Sequence, residues 1–272
     1  MSTTRVPWWA VGAAALGSSL LTITALLGYQ ERVRQRRRRA LKKEAARHAP
    51  DAPLPHVPTP PHAPVRRDMY DESLVREQLS RNYAFLGEEG MNAIRNSFVI
   101  VVGAGGVGSW AALMLLRSGV GRLRLIDFDQ VSLSSLNRHA CATLADVGRP
   151  KVVCCQQFFE RIAPWAHVEA YVDLFRDSEA DRLLAGAPTY VIDAIDNLDT
   201  KVDLIKYCAR HDIKVFSSMG AGAKADPSCI QISDISTTVE DPLARVVRRE
   251  LRVAGIPPIP CLLYTSDAAD EE

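Results

Sequence analysis

The alternation of apolar and polar segments predicts a folded region that begins near residue 68. A helical pattern at 70–97 precedes short apolar runs typical of buried strands, at 98–102, 122–127, 189–193, 213–217 and 229–235. Between most of these runs lie segments with helical spacing of apolar residues, at 107–118, 151–163, 178–185 and 199–211. Because strands alternate with helices, we expect an α/β fold with a doubly wound, mostly parallel sheet.

A different pattern occupies the N-terminus. Residues 7–29 carry no charge and are mostly apolar or small. As a helix they would extend about 34 Å, enough to cross a bilayer. Trp8, Trp9 and Tyr29 stand at the two ends, where amphipathic rings prefer the membrane interface. The pattern predicts a transmembrane helix within residues 1–30, the alternative being a secretory signal peptide.

Charge separates the next segment from the rest of the chain. Residues 31–47 contain nine Arg and Lys against two Glu, whereas the whole chain has a net charge of +1, so the remainder is acidic. The basic cluster predicts that the following chain faces the cytosol, and a nucleic-acid-binding arm is the alternative. Seven prolines in residues 50–64 indicate an extended spacer. We therefore assign residues 31–67 to a basic stretch and a Pro-rich linker.

A glycine-rich loop, "VGAGGVGS", follows the first predicted strand of the folded region. Gly103, Gly105 and Gly108 match G-x-G-x-x-G between a strand and a helix, which brings the backbone close to phosphate at a helix N-terminus. Asp127, at the end of the second strand, is positioned to bind ribose hydroxyls. Dinucleotides and ATP fit these features equally well, so the loop leaves the ligand open.

Later charged residues favour a nucleoside triphosphate. Asn137 and Arg138 follow the second strand, Lys151 begins the next helix, and Asp193 and Asp196 lie at the end of the strand at 189–193. Cations neutralise phosphates, and a carboxylate at a strand end holds Mg²⁺. Open α/β sheets bind ligands at the carboxyl ends of their strands, where these residues would meet. The pattern predicts adenylation by ATP rather than hydride transfer.

The motifs "VGAGGVGS", "LIDFDQVSLSSLNRH", "GRPK" and "DAIDN", in this order, resemble the ATP-binding core of the ubiquitin-activating and ThiF/MoeB-type adenylating enzymes over residues 68–256. The resemblance implies a Rossmann-like domain that binds ATP and Mg²⁺. It implies a nucleotide site made of Gly103, Gly105, Gly106, Gly108, Asp127, Asp129, Asn137, Arg138, Lys151, Asp196 and Asn197. Within that site it implies catalytic roles for Arg138, Lys151 and Asp196, with Asp196 as the metal ligand. It also implies a homodimer in which Arg81 reaches the ATP of the partner.

Residues 216–252 are similar to the tRNA threonylcarbamoyladenosine dehydratases. That resemblance implies ATP-dependent cyclisation of a threonylcarbamoyl group on tRNA through an acyl-adenylate, with release of AMP and pyrophosphate. Fungal members carry an N-terminal anchor at the mitochondrial outer membrane, which implies the same location here. The alternatives are an enzyme that adenylates a ubiquitin-like or sulfur-carrier protein, and a membrane-tethered, non-catalytic nucleotide-binding scaffold.

Three further features complete the picture. The six cysteines form no CxxC pair, so we expect a reduced compartment, no zinc, and buried structural roles for Cys154 and Cys155.

Residues 257–272 are small and acidic, and we expect an atypical, disordered tail that reflects truncation or a non-native end. Four arginines lie at helical spacing on one face that either tracks tRNA phosphates or is simply solvated, namely Arg245, Arg248, Arg249 and Arg252.

Overall fold

The structure is a computed structural model that describes residues 71–220, 230–237, 242–257 and 259–264. The predicted transmembrane helix, basic stretch and Pro-rich linker lie outside these residues. Within the described part of the chain, no helix is long and apolar enough to cross a membrane. Anchoring through residues 7–29 therefore stays a prediction.

The described residues form seven strands that alternate with helices. Two helices precede the first strand, and the second of them is kinked at Gly87, where φ is 72°. The elements are, in chain order, α1 (Glu72–Gln78), α2 (Ser80–Arg95), β1 (Phe98–Val102), α3 (Gly106–Arg117), β2 (Arg122–Ile126), α4 (Lys151–Ile162), β3 (His167–Tyr171), α5 (Ala180–Leu183), β4 (Tyr190–Asp193), α6 (Leu198–Arg210), β5 (Val215–Ser218), β6 (Ile230–Asp234), α7 (Pro242–Val253) and β7 (Pro260–Tyr264).

The strands form one sheet in the order β3-β2-β1-β4-β5-β7-β6. Neighbouring strands are parallel except β6 and β7, which are antiparallel. The chain starts in the middle of the sheet, runs outward to β3, and returns to place β4 beside β1. This order confirms the expected Rossmann-like, doubly wound and mostly parallel sheet.

Two strands differ from the sequence-based expectation. β3 was not expected as a strand, because only one of its five residues is buried and no apolar run marks it. β7 lies within residues 257–272, for which the sequence predicts a tail outside the domain. It pairs with both β5 and β6, so the domain continues past the predicted boundary at residue 256. Residues 265–272 lie outside the described part of the chain.

The hydrophobic core lies on both faces of the sheet. Every residue of β1 is buried, and alternate side chains enter opposite layers. Phe98, Ile100 and Val102 pack in the layer that contains α6 and α7, while Val99 and Val101 pack in the layer that contains α3 and α4. A strand covered on both faces is apolar throughout, which is why the sequence reveals it. The predicted site residues lie where such strands end.

Candidate nucleotide-binding site

Two glycines of the loop after β1 are required by backbone packing. Gly103 has a φ of 95°, and a Cβ there would lie 2.6 Å from the backbone oxygen of Ala194, in the turn after β4. A Cβ on Gly108 would lie 1.7 Å from the carbonyl oxygen of Gly103. Neither position accommodates a side chain. The loop is therefore pressed between the start of α3 and the turn that follows β4.

The start of α3 provides backbone donors. Its N-cap is Gly105, which supplies no side-chain cap, and a Cβ there would meet no atom within 4 Å. The first N–H groups of a helix have no acceptor within the helix, so they need another partner. Together with the helix dipole they favour an anion such as phosphate. The loop thus fits the phosphates of a nucleotide.

Arg138 lies directly over this loop. A Cβ on Gly106 would lie 3.1 Å from Cδ of Arg138, so the aliphatic part of the arginine covers that glycine. The guanidinium donates to the backbone oxygen of Ser134 at 2.9 Å and to Oδ1 of Asn137 at 3.1 Å. The side chain of Arg138 is exposed. Tertiary structure thus brings a cation from the segment after β2 to the phosphate loop.

Asp127 connects the end of β2 to the same loop. Its carboxylate accepts the N–H of Ala104 at 2.6 Å and the N–H of Asp129 at 2.7 Å. Burial raises the pKa of Asp127, and the two backbone hydrogen bonds oppose that shift. Each carboxylate oxygen keeps a second lone pair for a further donor, such as a ribose hydroxyl.

Lys151 pairs with Asp129 at the rim of the site. The Nζ–Oδ2 distance is 2.6 Å, and the backbone N–H of Lys151 donates to the backbone oxygen of Asp129 at 3.0 Å. The lysine side chain is 10% exposed and the aspartate side chain 48%. The ammonium therefore already has an anionic partner, which a phosphate would have to share or replace.

Asp193, grouped with Asp196 in the sequence analysis, instead belongs to a buried ion pair. Its Oδ2 lies 2.6 Å from Nζ of Lys201, and both side chains are 0% exposed. Oδ1 accepts the N–H of Ile195 at 3.0 Å, and the hydroxyl of Ser217 also donates to the carboxylate. Lys201 donates in addition to the backbone oxygen of Ser218 at 2.8 Å. This network joins the ends of β4 and β5.

Lys201 is a residue that the sequence analysis missed. A signal was available, because Lys201 lies three, four and seven residues before Leu204, Ile205 and Cys208, which form the buried face of α6. A lysine on an apolar helix face needs a buried partner. The sequence does not identify that partner, since Asp193 lies in another element.

Asp196 and Asn197 follow in the same turn. The Asp196 side chain is exposed and has no hydrogen-bond or ion-pair partner among the described residues. Asn197 is the N-cap of α6, where its Oδ1 accepts the N–H of Thr200 at 3.1 Å. The asparagine therefore has a structural role, and its contact with a nucleotide stays a prediction. Of the two residues, Asp196 offers a charged group that no described residue pairs.

The histidine and cysteines near the site have structural environments. Nδ1 of His139 accepts the N–H groups of Cys141 and Ala142 at 3.2 and 3.0 Å. Burial, followed by the positive charge of Lys151, lowers the pKa of His139. Cys154 and Cys155 are buried, and burial raises the pKa of the Cys154 thiol to about 11. A raised pKa keeps a thiol protonated, and a protonated thiol is a poor nucleophile.

The family resemblance also implies a contact of Arg81 with a partner chain and a magnesium site. Arg81 is exposed on α2, and its contact with the ATP of a partner stays a prediction. In the part of the chain that the structure describes, no three His, Cys, Asp or Glu residues form a group that could hold a metal ion. Binding of Mg²⁺ by Asp196 stays a prediction.

The chain is similar to several known proteins over its folded region. Residues 79–254 match the ThiF family. The chain is 52% identical over 189 residues to tRNA threonylcarbamoyladenosine dehydratase 2 of Saccharomyces cerevisiae, covering 69% of this chain and 42% of that protein. It is 44% identical over 179 residues to the tRNA threonylcarbamoyladenosine dehydratase of Bacillus subtilis, covering 66% of this chain and 70% of the relative.

A solved structure of a similar protein has a similar fold. The crystal structure of Escherichia coli tRNA N6-threonylcarbamoyladenosine dehydratase in complex with ATP has a TM-score of 0.68 and 32% identity, covering 72% of this chain and 84% of that chain. The chain spans less than half the length of the two yeast relatives it matches, 42% and 48%. The predicted resemblance is confirmed: this chain belongs to the ThiF family.

Proposed function

We propose that this protein is an adenylating enzyme that uses ATP to dehydrate N6-threonylcarbamoyladenosine in tRNA. The observation that carries the proposal is the convergence of three features at one edge of the sheet: the phosphate loop with the uncapped start of α3, the Arg138 side chain over Gly106, and the exposed carboxylate of Asp196, which no described residue pairs. Its relatives that share this core are named as dehydratases of that tRNA nucleoside.

The proposed reaction has two steps. The threonyl carboxylate attacks the α-phosphate of ATP, which forms an acyl-adenylate and releases pyrophosphate. An oxygen or nitrogen atom of the same substituent then attacks the activated carbonyl, closes a ring and releases AMP. Proximity within one substituent makes a protein nucleophile unnecessary. The raised pKa of the Cys154 thiol agrees with that mechanism.

The charge of each site residue would decide which part of the ligand it binds. Backbone N–H groups of the loop at Gly105 and Gly106, with Arg138 and Lys151, would bind phosphate oxygens, and Asp127 would bind the ribose. Asp196 would hold Mg²⁺, which neutralises phosphate charge when bound. Lys151 would share its ammonium between Asp129 and a phosphate oxygen, or exchange one for the other.

We also propose a homodimer in which Arg81 contacts the ATP of the partner. Val107, Trp110 and Met114 lie at helical spacing on α3, and each is about half exposed. Apolar side chains grouped in this way are typical of a protein interface. A mixture of Arg81→Ala and Asp196→Ala chains should regain activity, because one site of the mixed dimer holds both residues. Mixed dimers that form but stay inactive would contradict the role of Arg81.

The location of the protein is a further proposal. Residues 7–29 would form a single membrane span, the basic stretch after it would keep the domain in the cytosol, and the membrane would be the mitochondrial outer membrane. Deletion of residues 1–47 should release the protein from membranes without loss of ATP binding, because seven prolines at 50–64 separate the two regions. A full-length chain that fractionates as soluble would contradict the anchor.

The function is tested by incubating the full chain with ATP, Mg²⁺ and tRNA that carries threonylcarbamoyladenosine. We expect AMP, pyrophosphate and a nucleoside that has lost one water, and no AMP with tRNA that lacks the modification. The Asp196→Ala chain is the control. Production of ADP, or AMP formation only with a ubiquitin-like or sulfur-carrier protein, would contradict the proposal. ATP binding without any turnover would instead indicate a scaffold.

A further inference from the structure

We propose that the exposed face of α7 binds the phosphate backbone of the RNA substrate, an inference that rests on the proposed function. The helix has a clear inner face. Ala244, Val247 and Leu251 are buried in the core layer that also contains α6. The opposite face of α7 is therefore turned to solvent.

Arginines dominate that outer face. Arg245, Arg249 and Arg252 are exposed and lie at i, i+4 and i+7. Along the helix axis they span about 10 Å. Glu250 is the sole acidic residue in the sequence of α7, and it pairs with Arg249 at 3.1 Å. We call Arg245, Arg249 and Arg252 the arginine face. It keeps a positive charge after this pairing.

The positive arginine face differs in charge from the rest of the domain. The whole chain has a net charge of +1, of which residues 31–47 contribute nine basic against two acidic residues, so the remaining chain is acidic. An acidic domain repels RNA except where basic residues are concentrated. The arginine face is such a concentration on one element.

A cleft next to α7 adds a second kind of contact. It has a volume of about 400 Å³ and is lined by Arg248, Arg252, Ser236, Ile256 and Pro257, together with the almost fully buried Ile235 and Leu251. Apolar side chains beside a guanidinium fit a nucleotide whose base leaves the stack while its phosphate meets the cation. Such exposed bases occur in the single-stranded loops of RNA. The cleft therefore favours RNA over an acidic protein as the partner.

The arginine face is tested by direct binding of the tRNA. The full chain with Arg245→Gln, Arg249→Gln and Arg252→Gln is titrated with fluorescent tRNA, without ATP, across a series of salt concentrations. We expect the Kd for tRNA to rise by about tenfold or more at low salt. The slope of log K against log salt should shrink in magnitude by about 2–3, because three phosphate contacts are lost.

A matched control separates a local effect from net charge. Arg117→Gln, Arg161→Gln and Arg210→Gln together remove the same charge from exposed positions near the C-terminal ends of three other helices. We expect that chain to bind tRNA nearly as tightly as the unmodified chain. Equal loss in both triple variants would overturn the proposal, as would an unchanged Kd and slope in the α7 variant.

Two further readouts complete the test. Binding to vesicles that contain an anionic phospholipid should be equal for the two triple variants, and a loss confined to vesicle binding would mean that the arginine face contacts a membrane instead. AMP formation is measured separately over a range of tRNA concentrations that reaches saturation. A chain that binds tRNA through α7 but forms no AMP supports this inference while contradicting the proposed reaction. A chain that forms AMP with an unchanged KM for tRNA in the α7 variant overturns this inference alone.

Discussion

The ends of β2 and β4 each carry two aspartates, and the two regions differ in the position of the lysine. At the end of β2, the buried Asp127 binds backbone N–H groups, while the half-exposed Asp129 pairs with Lys151. At the end of β4 the arrangement is reversed. The buried Asp193 pairs with Lys201, and Asp196 has no partner in the described part of the chain.

The difference follows from how each buried carboxylate is satisfied. The turn after β2 supplies two N–H donors to Asp127, so this carboxylate is satisfied without an ion pair of its own. The turn after β4 supplies the N–H of Ile195, and the remaining acceptor capacity of Asp193 is met by Lys201 and Ser217. A buried charge must be paired, so the second lysine is held in the core. Position in the fold, rather than residue type, decides which aspartate is available to a ligand.

The largest expected effect comes from separating the buried pair. Lys201→Met should lower the free energy of unfolding by about 3–5 kcal/mol, because Asp193 would remain buried without its cation. The double variant Asp193→Asn with Lys201→Met should recover much of that loss, since the amide is neutral. Denaturant unfolding followed by circular dichroism measures both. If the single variant is as stable as the unmodified chain, the pair has no structural role.

Asp196, the exposed aspartate of the same turn, should affect activity strongly and stability little. Asp196→Ala should reduce the rate of AMP formation by about 10²–10³ or more, as expected when a group that stabilises developing charge is lost. Its free energy of unfolding should change by less than about 0.5 kcal/mol, because the side chain is exposed. Asp199→Ala, one turn later and also exposed, is the matched control. An equal loss of activity in both would remove the distinction between them.

At the β2 end, loss of the ion pair should cost little stability. Asp129→Asn should lower the free energy of unfolding by less than about 1 kcal/mol, because the pair is partly exposed. The lysine would then lack its carboxylate partner, so we expect the KM for ATP to stay equal or fall. Denaturation and steady-state kinetics measure the two quantities. A loss of several kcal/mol would mean that the β2 and β4 pairs are equivalent.

The smallest expected effect is a change in the pKa of His139 when Lys151 is replaced. The folded-state pKa of His139 is lowered from 6.5, mainly by burial and then by Lys151, so the fold favours the neutral imidazole. The stabilisation is present above about pH 6.5 and is lost as the pH falls through the lowered pKa. Lys151→Met should raise the pKa of His139, which NMR titration would detect. No change would show that Lys151 does not act on this histidine.

The sequence by itself determined the sheet centre and the order of the motifs. β1 is covered on both faces and is therefore apolar at every position, which makes it visible as a run. β3 is mostly half-exposed and lacks that run. β7 lies among prolines, which are typical of loops, and becomes a strand by pairing with β5 and β6.

The sequence predicted part of the candidate site. Spacing predicts a phosphate-binding loop at Gly103–Gly108 and charged residues at strand ends, because a turn and a helix start are local features of the chain. Tertiary structure alone decided that Arg138 covers Gly106 and that Lys201 pairs with Asp193. Spacing along the chain does not reveal which charges become buried together, because burial arises only when β4, β5 and α6 pack against one another. The same packing leaves Asp196 exposed and without a partner among the described residues.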